Sequence, residues 1–152
     1  MPGHRTSVRT RTAGIEELPM IQRIENDCFQ EERYSTEVLA EMLDEEGFET
    51  ILVEEDEPMG SATVNYRDDL VAAQLVSIAV LPRFRGKGVA KALLAEAEAR
   101  VRKRGADRMV LQVGVTNVAA LNLYLHQGYV LEGVIGDYYG PGKDAYFMDK
   151  VL

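Results

Sequence analysis

The stretch VSIAVLPRFRGKGVAKALLAEAEARV, residues 76–101, decides the fold. It begins with the apolar residues of a buried strand, passes through a short basic turn, and continues with apolar residues at helical spacing. Gly86 and Gly88 allow a sharp bend that directs several backbone N–H groups into one small volume. The following helix points its unpaired N–H groups and positive dipole end at the same volume. The stretch therefore predicts a site for a phosphate or pyrophosphate.

The composition limits the classes of protein that fit. A length of 152 residues suits one domain, and 46% hydrophobic with 28% charged residues is ordinary for a globular protein. The formal net charge of -8 argues against nucleic acid as a partner, because a general nucleic-acid binder needs a broad basic face. An acidic chain can still hold one small basic pocket.

The cysteine content and the lengths of the apolar segments predict the cellular compartment of the protein. Cys28 is the single cysteine, which rules out an intramolecular disulfide and fits a reducing environment. No apolar run reaches the roughly 20 residues that a membrane-spanning helix needs. The first residues, MPGHRTSVRTRTAG, are basic but lack the apolar segment of a secretory signal. We therefore expect a cytoplasmic protein without a membrane partner.

The pattern along the chain predicts a flexible tail at residues 1–6 and a single domain at 7–152. The expected order is strand, helix, helix, three strands, helix, strand, helix and two strands. This order predicts an α/β (α+β) fold with a mixed central sheet of about seven strands flanked by about four helices. The glycine turn then lies at the carboxyl end of a central strand, where open α/β sheets bind ligands.

Three motifs carry a resemblance to a known family. The first is the turn Arg85, Gly86, Lys87, Gly88, Val89, Ala90, and the second is the series Asn117, Ala120, Leu123, Tyr124, Gly128, Tyr129. The third is the series Tyr138, Tyr139, Gly142, Asp144, Ala145, Met148. Together, in this order and spacing, they resemble the GNAT family of acetyl-coenzyme A-dependent N-acetyltransferases. The third motif is similar to the branch that acetylates protein N-termini, which includes ribosomal-protein and co-translational enzymes.

The resemblance implies a GNAT fold and a site for acetyl-coenzyme A. The turn Arg85–Ala90 would bind the pyrophosphate, and the main chain of Ile78, Ala79 and Val80 would pair with the pantetheine arm. The amide of Ala79 or Val80 would face the thioester oxygen. Asn117 either caps its helix or contacts coenzyme A, and the two roles are compatible.

The catalytic groups implied by the resemblance are incomplete. Tyr124 is either a core tyrosine or, as the resemblance implies, the general acid that protonates the leaving thiolate. Gln112 stands where the branch often has Glu or His, and Gln74 stands where some relatives have Tyr. Neither amide can take a proton, so they would order a water in place of the usual base. Glu31, Glu32 or a tyrosine of the Tyr138–Tyr139 pair remain as alternative bases.

The expected acceptor site lies between two loops. The resemblance places the first residues of a peptide acceptor at the loop Phe29–Tyr34. The residues of this loop that would contact the peptide are Phe29, Glu31, Glu32 and Tyr34. Tyr138 and Tyr139 would form the opposite wall of the groove. Consecutive residues on a strand point to opposite faces, so only one tyrosine is expected to face the groove. His4 and His126 have no partner at metal-ligand spacing, so we expect no metal.

The sequence thus predicts an enzyme that transfers an acetyl group from acetyl-coenzyme A to the α-amine of a protein or peptide N-terminus. Its partners would be nascent chains or ribosomal proteins, and it would act as a monomer or homodimer. Two alternatives stay open: an acetyltransferase for a small amine, and a catalytically weak acetyl-coenzyme A-binding module.

Overall fold

The structure is a computed structural model that describes residues 8–29, 33–67 and 72–152. Its strands are β1 Arg9–Thr12, β2 Phe48–Glu54, β3 Pro58–Tyr66, β4 Ala72–Val80, β5 Arg108–Gly114, β6 Val130–Ile135 and β7 Ala145–Val151. Its helices are α1 Leu18–Cys28, α2 Thr36–Asp44, α3 Val89–Lys103 and α4 Val118–His126. The predicted tail, residues 1–6, lies outside the described residues.

The strands form one seven-stranded sheet in the order β1-β2-β3-β4-β5-β7-β6. The pair β4–β5 is parallel and the other pairs are antiparallel. Parallel neighbours need a crossover connection, which α3 supplies. The predicted mixed α/β sheet of seven strands with four helices is confirmed, and β1 lies at the sheet edge.

Each face of the sheet carries its own layer of apolar side chains. On one face α3 buries Leu93, Leu94 and Val101 against the sheet, with Leu111 beneath them. On the other face α1 and α2 bury a second cluster, which contains Ile21, Ile24, Leu39, Met42, Leu52 and Ala79. The two-layer covering follows from strands whose residues are buried on both sides.

Side-chain oxygens cap two of the helices at their N-termini. The Ser35 hydroxyl accepts from the Val38 N–H at 3.2 Å, and the Asn117 side-chain oxygen accepts from the Ala120 N–H at 3.2 Å. The predicted second helix begins after Ser35 and the predicted fourth after Asn117. None of the helices in the described parts of the chain is long and apolar enough to cross a membrane.

A buried ionic cluster ties α3 to the last strand. Glu98 is 6% exposed and accepts from the Tyr129 hydroxyl at 2.8 Å and from Lys150 Nζ at 3.0 and 3.1 Å. The carboxylate is therefore paired at both oxygens, as a buried charge requires. Removing it would leave the Tyr129 hydroxyl and the Lys150 ammonium without their acceptor.

We expect Glu98→Ala to lower the free energy of unfolding by about 3 kcal/mol, because it breaks a buried pair from one side. Urea unfolding followed by circular dichroism measures the change. Glu96→Ala is the matched control on the same helix: Glu96 pairs with Arg100 on the more exposed side of α3, so its loss should cost less than about 1 kcal/mol. Equal losses in the two variants would contradict the role given to Glu98.

Candidate active site

The glycine turn has the conformation that the sequence predicts. Gly86 and Gly88 adopt φ values of 76° and 81°, in the left-handed region that side chains disfavour. Gly88 is the N-cap of α3, and no side chain caps the helix there. The first N–H groups of α3 therefore stay available to an anion at the helix N-terminus. Beyond the two adjacent residues, no atom of the described chain lies within 4 Å of the position that a Cβ would take on either glycine, so the turn is open on that side.

The four cationic side chains near this turn differ in whether they form hydrogen bonds or ion pairs with other residues. Arg85 donates from Nε to the Val80 carbonyl at 2.8 Å and also contacts the Cys28 thiol. Arg83 forms an ion pair with Glu57. Lys87 and Lys91 are exposed and carry no ion pair within the described part of the chain. The two lysines therefore have no competing carboxylate in this part of the chain, and Arg85 keeps guanidinium donors besides Nε.

The central feature of the site is a cleft between β4 and β5. The two strands pair from Ala72↔Arg108 to Leu75↔Leu111 and no further. Immediately after Leu75 the pairing of β4 with β3 shifts by one residue, which leaves Val76 as a bulge. Beyond this point β4 pairs with β3 and β5 pairs with β7, so the facing edges of β4 and β5 have separated.

The register shows which main-chain groups face the cleft. Leu81 donates its N–H to the Met59 carbonyl of β3 at 2.9 Å, and hydrogen-bonded pairs alternate along antiparallel strands. Ala79 therefore also faces β3, whereas Ile78 and Val80 turn their N–H and C=O groups toward the cleft. Of the two amides predicted to face a thioester, Val80 lies on the cleft side and Ala79 does not.

A cavity of about 450 Å³ occupies the cleft. It is lined by the main chain of β4 and β5 where they separate, by α4, by the end of α1 and by the turn that precedes β7. Tyr124 and Asn117 line it from one face of the sheet, and Phe29 and Tyr34 line it from the other. The opening between the strands therefore connects the two faces, while the glycine turn lies outside the cavity at the start of α3.

Tyr124, predicted as the general acid, lines the cavity on the α4 side. Its side chain is 5% exposed and packs edge-on against Tyr129, with ring centroids 5.7 Å apart. Burial raises the pKa of the Tyr124 phenol, and the neighbouring Tyr139 phenol raises it further. The hydroxyl therefore stays protonated at physiological pH.

The two glutamines meet, as their predicted shared role requires. Gln74 Nε2 donates to Gln112 Oε1 at 2.8 Å, and the Tyr138 hydroxyl donates to the same oxygen at 3.5 Å. Gln112 lines the cavity. The pair is a fixed amide network rather than a proton acceptor, because an amide has no basic lone pair at physiological pH.

The expectation that Tyr138 and Tyr139 lie on a strand is wrong. Both residues lie in the turn between β6 and β7. Their rings pack edge-on, and the Tyr139 hydroxyl donates to the Gln112 carbonyl at 3.4 Å. The turn brings both phenols to Gln112, although only Tyr139 lines the cavity. Asp137, with φ 54°, begins this turn, and its carboxylate accepts from the Gly142 N–H at 2.7 Å.

The loop between α1 and α2 supplies the other wall. Phe29 and Tyr34, which are predicted to contact the acceptor, both line the cavity. Burial raises the pKa of the Tyr34 phenol, and the Tyr138 phenol and the Glu25 carboxylate raise it further, so these groups lie close together. The predicted acceptor residues Glu31 and Glu32 lie outside the described residues.

Glu25 is a cavity residue that the sequence does not single out. It lies on α1, is 5% exposed, and accepts the Tyr34 N–H at Oε1 with a distance of 2.9 Å. One sequence feature could have identified it: Glu25 lies next to Ile24 on the side of α1 that is buried, where a carboxylate without a cationic partner is unusual. No group of His, Cys, Asp and Glu in the described residues has the arrangement of a metal site.

Comparison with known proteins gives a consistent set of relatives. The model of the family described as Acetyltransferase (GNAT) family matches residues 18–129. An N-alpha-acetyltransferase of Sulfurisphaera tokodaii is 41% identical over 79 residues, which is 51% of this chain and 47% of the relative. The chain spans about half the length of the curated relatives that it matches at this level of identity.

Solved structures share the fold. The ribosomal-protein-S18-alanine N-acetyltransferase of Escherichia coli superposes with a TM-score of 0.86 at 24% identity, over 96% of this chain and 94% of the other. A PaiA N-acetyltransferase of Thermoplasma acidophilum, in complex with coenzyme A, gives 0.83 at 20% identity, over 96% and 99%. At these identities the likeness extends to the fold alone.

We expect Gly88→Ala to weaken the binding of coenzyme A about tenfold, because a side chain at this φ costs about 1–2 kcal/mol and shifts the N–H groups of the turn. Isothermal titration calorimetry with coenzyme A measures the affinity. Gly105→Ala is the matched control: Gly105 has φ 98° in equally open space, at the far end of α3. Both variants should lose stability, and weakened binding in both would contradict the assignment of the turn.

Proposed function

The chain belongs to the GNAT family of acetyltransferases, whose members use acetyl-coenzyme A, and we propose that it acetylates the α-amine of protein or peptide N-termini. The observation that carries this proposal is the cavity through the β4–β5 cleft, which joins the α4 side of the sheet to the α1 side. Such a passage admits a thioester from one face and an amine from the other. The resemblance to an N-alpha-acetyltransferase over half of the chain supports the choice of amine.

The residues fit acetyl-coenzyme A on the α3 and α4 side of the sheet. When bound, it supplies the acetyl group as an activated thioester. The turn Arg85–Ala90 would hold its pyrophosphate, with Lys87 as a charge partner. The main-chain groups of Ile78 and the N–H of Val80, which lack a sheet partner on the cleft side, would pair with the pantetheine arm. The Val80 carbonyl already accepts from Arg85 Nε and from the Cys28 thiol. Asn117 caps α4 and lines the cavity, so both of its predicted roles are compatible with its position.

Tyr124 would hold the proton for the sulfur. Its side chain lines the cavity on the α4 side, and burial keeps the phenol protonated. A phenol can serve as a general acid toward a thiolate, because it must give up the proton only as the leaving group forms. Because Tyr124 is only 5% exposed, bulk water has little access to this end of the cavity.

The acceptor would enter from the α1 side. Phe29 and Tyr34 form one wall there, and Tyr139 forms the other. Gln112, fixed by Gln74 and Tyr138, lies between the walls and would order the amine or a water beside it. Nascent chains and ribosomal proteins are the acceptor class that these loops would meet.

A peptide panel tests the proposal directly. The protein is incubated with acetyl-coenzyme A and peptides that differ in their first two residues, and products are located by tandem mass spectrometry. We expect acetylation on the α-amine of a subset of peptides and none on lysine side chains. Peptides with a blocked α-amine are the control. Transfer to small amines such as polyamines, with no peptide product, would overturn the proposed acceptor.

We expect Tyr124→Phe to lower kcat by about 100-fold, because it removes the proton donor for the sulfur and keeps the packing of the ring. The affinity for coenzyme A should not change. Tyr146→Phe is the matched control: Tyr146 is a half-buried tyrosine on β7 that does not line the cavity. Steady-state kinetics and calorimetry of both variants distinguish the roles. An unchanged kcat in Tyr124→Phe would contradict the proton donor.

A further inference from the structure

We propose that the Glu25 carboxylate accepts the proton of the acceptor amine, in place of the base missing at Gln74 and Gln112. The proposal rests on the acetyl transfer proposed above. Glu25 lines the same cavity as Ser77, Ile78 and Tyr124, and it lies on the α1 side, where the amine would enter. A carboxylate in this position can reach the amine directly or through one water.

The hydrogen bonding of Glu25 leaves part of the carboxylate available. Oε1 accepts the Tyr34 N–H at 2.9 Å. Within the described residues no cation forms an ion pair with Glu25, which is unusual for a carboxylate that is 5% exposed. Glu98 shows the contrast: it is as deeply buried, but Lys150 and Tyr129 pair with it. A buried charge without a cationic partner is a receptive site for a ligand such as an α-ammonium.

The surroundings also suit proton transfer. Burial raises the pKa of the Glu25 carboxyl, and the Tyr34 N–H opposes this shift only in part. Among the described residues, the Tyr34 phenol and, on its own helix, the Cys28 thiol interact with it, and Cys28 in turn contacts Arg85. Tyr139, Lys143 and Asp144 line the same cavity from the turn before β7. A carboxylate with raised proton affinity is better matched to an α-ammonium, whose pKa is about 7.7–8.0, than an exposed glutamate is.

The acceptor ammonium loses two protons when it becomes a secondary amide. Glu25 takes the first and releases it to solvent after the transfer. As the nitrogen–carbon bond forms and the carbon–sulfur bond breaks, Tyr124 gives its proton to the sulfur, and the second proton from the nitrogen restores the Tyr124 hydroxyl. The products are the amide, the free thiol and one proton in solution.

We expect Glu25→Gln to lower kcat/KM for the acetylated peptide by about 100-fold or more, with unchanged affinity for coenzyme A. The amide oxygen that this substitution introduces can still accept the Tyr34 N–H, so the loop stays anchored and the protein stays folded. The wild-type pH profile should show an acid limb above the usual range of glutamate, and the variant should lack it. Asp27→Asn, which removes an exposed charge on the same helix, is the control and should leave the profile unchanged.

Two further measurements separate a proton acceptor from a structural carboxylate. Gln112→Glu in the Glu25→Gln background should restore part of the rate, because it returns a carboxylate to the same cavity. Difference infrared spectroscopy of wild type against Glu25→Gln, without any substrate, should show one carboxyl band that titrates above the usual range of glutamate. An unchanged kcat/KM in Glu25→Gln, or a band that titrates in the usual range, would overturn the proposal.

The identity of the acceptor and the role of Glu25 are tested by different results. If the wild type acetylates a small amine and no peptide, the proposed function fails, and the same variants measured with that amine still decide the role of Glu25. A wild type that acetylates no amine at all overturns both proposals.

Discussion

The site depends on the separation of β4 and β5 after Leu75 and Leu111. Two parallel strands at the centre of a sheet would normally pair along their whole length, and every backbone group would be satisfied. Here the bulge at Val76 redirects β4 while β5 stays paired with β7. The main chain of Ile78 and the N–H of Val80 are left facing a gap without a strand partner, whereas the Val80 carbonyl accepts from Arg85 Nε. The same gap lets one cavity connect the two faces of the sheet.

The elements around this gap are predictable from the sequence because their signals are local. Ser35 and Asn117 cap their helices through side-chain oxygens, and Gly86 and Gly88 take the left-handed conformations that their positions indicate. The separation of the strands is not predictable from composition, since a one-residue bulge leaves no mark in a run of apolar residues. It follows from tertiary pairing, in which β3 holds one edge of β4 and β7 holds one edge of β5.

The differences between sequence and structure at the site have the same origin. Tyrosine is a frequent strand residue, so Tyr138 and Tyr139 suggest a strand. The neighbouring Gly136, Gly140 and Gly142 are the stronger signal, and the segment is a turn. Glu25 is not predicted from the sequence for a different reason: it belongs to no motif. Its burial and its hydrogen bond depend on Tyr34, which is nine residues further along the chain. The tertiary structure converts an ordinary helical glutamate into a buried carboxylate at the entrance of the cleft.

Burial changes the acid–base properties of two side chains at opposite ends of the cavity, Tyr124 and Glu25. A low-dielectric environment disfavours charge, so it raises the pKa of the Tyr124 phenol and of the Glu25 carboxyl alike. A phenol is neutral when protonated, so burial keeps the proton on the Tyr124 hydroxyl. A carboxylate is charged when deprotonated, so burial increases its affinity for the proton that an amine must lose. One physical cause thus makes the Glu25 carboxylate a stronger proton acceptor beside the nucleophile, and it makes the Tyr124 phenol a weaker acid, whose proton can leave only as another proton replaces it. The amides at Gln74 and Gln112 fit this division, because a second carboxylate there would repel Glu25 and compete for the same proton.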